Sequence, residues 1–174
     1  MSAKCLTCLV VLSILAPGAV LDGQAARPSQ RGTVSQMIAT TAVTVVYNRP
    51  SARGRRLFGG VVPYGRIWNP GADEATTLTV SKDVRVAGQP LAAGRYSLWM
   101  IPAENGSWTV IFSKAANVFH VPYPEGQDAL RVQIEAQRGG FMETLAFYFP
   151  VVQRDGAVLN FHWGETVVPI PILR

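Results

Sequence analysis

No stretch of this chain after residue 26 sustains an apolar repeat of 3.6 residues over the length that a helix needs. Short segments rich in Val, Ile, Thr, Tyr, Phe and Trp alternate instead with Gly, Pro and Asn turns, and that restricts the chain to strands. The segments fall at 33–38, 42–47, 76–81, 84–87, 95–101, 108–113, 129–136, 144–152, 158–163 and 166–172. Many short strands with turn chemistry between them predict an all-β fold, a single-domain antiparallel β-sandwich of jelly-roll-like or Ig-like form.

Alternation is cleanest in two segments. Leu130, Val132 and Ile134 share one face while Arg131, Gln133 and Glu135 take the other, so that strand has a wet side. In 144–152 the apolar face reads Leu145, Phe147, Phe149 and Val151, and all four are expected in the core, as are Tyr96, Leu98, Val110 and Phe112. Asn105-Gly106 between two strong strands predicts a two-residue type I′ hairpin, which also accounts for the glycosylation-like Asn105-Gly106-Ser107. Gly88 and Gly94 flanking Pro90 and Leu91 predict a tight turn, a short apolar plug and a second turn.

The first residues carry Lys4, an apolar run over 5–21 broken near its end by Pro17 and Gly18, and small residues at Gly23 and Ala25. This is the layout of an export signal cleaved after Ala25, giving a periplasmic or extracellular protein with no membrane span once the signal is removed. Residues 26–32 then read as a flexible lead and 33–174 as one domain. Cys5 and Cys8 both lie in the signal, so the mature chain has no disulfide, thiol nucleophile or cysteine metal site. Cys8 is a poor lipidation site, because most of the apolar core follows it.

Cleavage removes one charge of each sign and leaves the net charge at +5. That excess favours anionic partners in general. Nucleic acid is not expected, since an exported chain rarely meets it and no nucleic-acid motif is present.

The segment from Arg49 to Thr76 is too long to be a plain connection. It carries Arg49, Arg53, Arg55, Arg56 and Arg66 against Asp73 and Glu74. Guanidinium forks suit carboxylate, phosphate and sulfate groups, so one reading is an anion pocket. The plainer reading leaves Arg53 and Arg56 in water and pairs Arg49 and Arg55 with Asp73, Glu74 or Glu165, with Arg55 held near the fold because Leu57 and Phe58 dock beside it. Tyr64 and Trp68 stand in a polar loop without an obvious apolar partner, and a sugar ring could stack on them.

Catalytic patterns are thin. There is no Gly-x-Ser-x-Gly elbow, and only His120 and His162 could serve as imidazole bases. His162, Glu165 and His120 match no metal-ligand spacing, so no metal or other cofactor is expected. Asp73 and Glu74 are adjacent and would point apart in an extended chain, which disfavours them as a glycosidase pair.

Arg49-Pro50, Gly54-Arg55, Phe58-Gly59, Pro63-Tyr64-Gly65, Trp68, Gly71-Ala72 and Glu74-Ala75-Thr76, with the stretches 88–102 and 108–114, resemble the bacterial family catalogued as domain of unknown function 2911. The likeness runs from about Thr33 to the C-terminus, and the family has no established activity. Where it commonly has Trp-Arg before Thr or Ser and Gly, this chain reads Trp68-Asn69-Pro70-Gly71, and Asp73 stands where Asn is frequent.

The sequence reading is therefore a non-catalytic ligand- or surface-binding module that uses this basic, aromatic loop, with a small anionic or carbohydrate ligand expected and Arg49, Arg55, Tyr64, Trp68, Glu74, Thr76, His162 and Glu165 as its candidate contacts. One alternative is a carbohydrate or ester hydrolase of the envelope or extracellular space using Glu74, Glu165 and His162. The other is a structural partner in an envelope complex.

Overall fold

The computed structural model describes residues 27–174, so the expected signal, its cleavage point and both cysteines lie outside the described residues. The strands are β1 (Gln30–Ile38), β2 (Thr41–Arg49), β3 (Thr77–Val80), β4 (Val84–Val86), β5 (Gln89–Leu91), β6 (Gly94–Ile101), β7 (Ser107–Ser113), β8 (Asp128–Glu135), β9 (Gln137–Val152) and β10 (Gly156–Leu173). They form two antiparallel sheets, β1-β2-β3-β6-β7-β8 and β5-β4-β10-β9, with no helix among the described residues. The expected all-β sandwich is what the chain adopts. β1 starts at Gln30, inside the stretch read as a lead.

One apolar core lies between the sheets. Val43, Val45, Leu78, Leu98, Val110 and Phe112 enter it from the larger sheet, and Leu145, Phe147, Leu159, Phe161, Val168 and Ile170 from the smaller. Val132 and Ile134 are buried as expected, while Leu130 and Phe149 are only partly buried against the core.

Val151 departs from the expectation, being 45% exposed. Val158 pairs with Val151 but Asn160 pairs with Tyr148, so β9 carries an extra residue between them. Pro150 sits in that interval, where its missing N–H costs the ladder nothing. The bulge turns Val151 to the outer face.

The Asn105-Gly106 turn is also wider than expected. Ile101 pairs with Thr109, and the connection between β6 and β7 covers 102–106. Pro102 has no N–H to continue the ladder, and its carbonyl is taken by Gly65 N at 2.8 Å. The two-residue hairpin turn occurs instead at Ala87-Gly88, between Val86 and its partner Gln89, with φ of 47° and 79° as type I′ geometry demands. It opens the segment read as turn, plug and turn, and Leu91 is the plug, 2% exposed.

β10 joins two segments that read separately in the sequence. Gly164, with φ of 58° and register shifts on both sides, marks its bend. The first part pairs with β9 and the last residues with β4. Arg174 N finally donates to Asp155 O at 2.9 Å, so the end of the chain returns to the turn where β10 began.

Candidate functional site

The Arg49 to Thr76 segment is ordered by crossing between the sheets. Its start is stitched to β9, Ala52 N donating to Glu143 O and Leu145 N to Pro50 O, at 2.8 and 2.9 Å. Further on, Trp68 and Met100 exchange backbone hydrogen bonds of 2.8 Å, adding an isolated bridge to the larger sheet.

Between these anchors, Leu57 and Phe58 dock on the sandwich. Leu57 lies over Gly164, where a Cβ would come within 2.8 Å of its Cδ1. Phe58 meets Trp108 edge-on at 4.7 Å between ring centroids, and Trp68, Trp163 and Phe161 at 6.1, 6.3 and 6.4 Å. Gly59, at φ of 73°, leaves room for the Tyr64 ring, whose Cε2 would stand 2.7 Å from a Cβ there.

The outer surface of this aromatic cluster is an open groove. One arm, about 560 Å³, runs from Phe58 and Tyr64 to Glu104, Asn105, Gln137 and Arg138. The other, about 280 Å³, runs past Arg55 and Trp163 to Phe141, which is 65% exposed. Glu165 and Thr166 border both arms. Among the described residues, the charged side chains along the groove are Arg55 and Arg138 against Glu104 and Glu165, a balanced set. Arg138 Nη2 lies 3.0 Å from Glu165 Oε2, with both groups largely in water.

Of the residues singled out in the sequence, the groove brings together Arg55, Tyr64 and Glu165. Arg55 meets no acid among the described residues: its Nε donates to Ala52 O at 2.9 Å and its Nη2 to Ser51 O at 2.8 Å, so it closes its own loop. Arg49 likewise donates Nε to a carbonyl, that of Leu145, at 3.2 Å. Trp68 has the apolar partners that the sequence did not reveal. It stacks on Trp163 at 6.0 Å with the rings 12° apart, packs against Phe58 and Phe161, and is half-buried. Thr76 is fully buried, its hydroxyl donating to Pro70 O and its N–H to Asn69 Oδ1.

Glu74 lies elsewhere, on the outer side of the larger sheet. Arg27 Nη1 bridges its two carboxylate oxygens at 2.7 and 2.8 Å and Asn48 Nδ2 donates at 3.1 Å. Those donors, Arg27 first, hold its carboxyl well below the usual range, at about 2. His162 is buried within the β9–β10 hairpin, its Nε2 donating to Gly140 O at 2.9 Å and its Nδ1 accepting from the Tyr148 hydroxyl at 3.1 Å. Asn160 Nδ2 donates to the same hydroxyl at 3.3 Å. His120 sits on Asp73 O. Among the described residues, no three His, Asp or Glu groups stand where they could share a metal ion.

The sequence reading missed Phe141, Gln137 and Arg138, since it began their strand at residue 144. The signal was present: an aromatic ring directly after Gly139-Gly140 stands beside backbone that offers no side chain to cover it. Phe58 was read as an anchor and also floors the groove.

No curated protein and no solved structure matches this chain. A family model described as "Protein of unknown function (DUF2911)" matches residues 29–172, and the chain belongs to that family.

Proposed function

We propose that the protein is a non-catalytic binding module that holds a neutral, hydroxyl-rich carbohydrate chain in the groove over Phe58 and Tyr64, acting outside the cytoplasm once residues 1–25 are removed. The observation that carries this reading is the make-up of the groove. Aromatic surface from Phe58, Tyr64 and Phe141 lies beside the planar polar groups of Asn105, Gln137 and the Arg138–Glu165 pair. Sugar rings offer C–H faces to aromatics and hydroxyl edges to amides and carboxylates. The balanced charge argues against an anion here, which would have to part Arg138 from Glu165. The open shape suits an internal stretch of a chain, and the volume is that of ordinary ligand clefts.

The hydrolase alternative draws less support. Its three residues, Glu74, Glu165 and His162, do not line one cleft. Glu104 and Glu165 do share the groove, but both are exposed and Glu165 is ion-paired, whereas an acid catalyst is made by burial away from cations.

The test is affinity electrophoresis of residues 26–174 through gels containing soluble glucan, xylan or mannan, with a reducing-sugar assay alongside. We expect retardation by at least one neutral glycan, little affected by salt, with Kd raised about tenfold by Tyr64→Ala. Free migration through every glycan, or release of reducing ends, would reject the reading.

A further inference from the structure

A second pocket, about 340 Å³, lies on the outer face of the larger sheet, where the segment after β7 folds over β3 and β6. Its cover is fixed by a small core of Ala75, Trp99 and Ile111 with Val118 and Tyr123, and by Ala75 N donating to Val118 O at 3.0 Å. Arg31 of β1 and Arg95 of β6 reach it from opposite sides. The register puts them on one face: Thr77 pairs with Val46 and Ser97, Val46 pairs with Thr33, and each arginine stands two residues from that row.

Neither arginine makes an ion pair among the described residues. The carboxylate in the pocket wall, Glu74, is already bridged by Arg27, which itself does not line the pocket. Two cations thus face a built cavity with no acid paired to either among the described residues, beside Thr77 and Asn117. Phe119, 52% exposed, supplies an apolar wall.

We propose that this pocket binds a small organic oxyanion, a carboxylate or a sulfate or phosphate ester bearing a flat apolar group, with Arg31 and Arg95 on the oxygens and Phe119 against the ring. Guanidinium groups suit such oxygens because their N–H donors meet them with full charge. Arg27 keeps the pocket receptive by holding Glu74 away from the two arginines. The site is separate from the carbohydrate groove and does not depend on it.

Titration calorimetry of residues 26–174 at low salt, with benzoate, phenyl phosphate, phenyl sulfate and neutral benzyl alcohol, tests this. At least one anion should bind saturably while benzyl alcohol gives no heat, and the tightest of the three identifies the oxyanion. Arg31→Gln and Arg95→Gln are exposed changes that should leave the fold intact by circular dichroism. Each should raise Kd at least about tenfold, and Tyr64→Ala should not. Arg27→Ala should also weaken binding, because the released Glu74 becomes an internal competitor for the arginines. No saturable heat up to roughly 10 mM, or an affinity unchanged in the double variant, would overturn the site. An Arg27→Ala protein binding as wild type would overturn the part given to Glu74.

Discussion

Phe58 serves both the core and the groove, packing against the one while it lines the other. Because it meets four other aromatic side chains, Phe58→Ala should cost about 3 kcal/mol in urea unfolding and lower glycan affinity together. Phe147, 3% exposed, has no groove face, so Phe147→Ala should cost about 3 to 5 kcal/mol and leave the affinity of the remaining folded protein unchanged. Tyr148→Phe removes the hydroxyl shared by His162 and Asn160. Asn160 Oδ1 already lacks a partner among the described residues, and the variant should lose about 1 to 3 kcal/mol by thermal denaturation. Single residues were the hardest scale to read from sequence. Arg55 and Trp68 could be located in the loop, but Arg55 turns back to carbonyls three and four residues before it, which any side chain in the loop could meet, and Trp68 packs on rings far along the chain, which leave no pattern in local spacing.

Elements were more legible where one rule acted alone. Alternation in 129–136 predicted its buried face because no bulge interrupts the run of Leu130, Val132 and Ile134. It failed past Phe149, where an extra residue near Pro150 reversed the faces. The Asn105-Gly106 signal was real as a turn, since Gly106 has φ of 80°, yet Pro102 had already ended the ladder. At Gly164 the joint depends on a positive φ and on Leu57 above it, so Gly164→Ala should destabilise by more than about 1 kcal/mol. The tie from Arg27 to Glu74 lies mostly in water, so its contribution to stability is small. Its sign follows from the lowered carboxyl. The contribution is present above the ordinary carboxyl value of 4.5 and lost as pH falls to about 2. Melting curves of wild type and Arg27→Ala should therefore differ slightly at neutral pH and converge near pH 2.

On the scale of the whole molecule, the two sheets and their shared core followed from composition and turn spacing, because a sandwich is the ordinary way to bury many short two-faced strands. The groove did not, since it is assembled from the long loop, the β6–β7 connection and the bent β9–β10 hairpin, which meet only in three dimensions. That hairpin also sets the polarity of the molecule. Arg138 and Thr166 stand at its groove end, while the bond from Arg174 to Asp155 fixes the C-terminus at its other end. A biotin acceptor or surface linker fused after Arg174 would leave from the side opposite the groove, so a sensor chip loaded through that end would display every copy with its cleft facing the flowing sample. A linker fused before Arg27 would instead pull on the strap over Glu74. Immobilisation from the two ends should then report unequal anion affinities but equal glycan affinities.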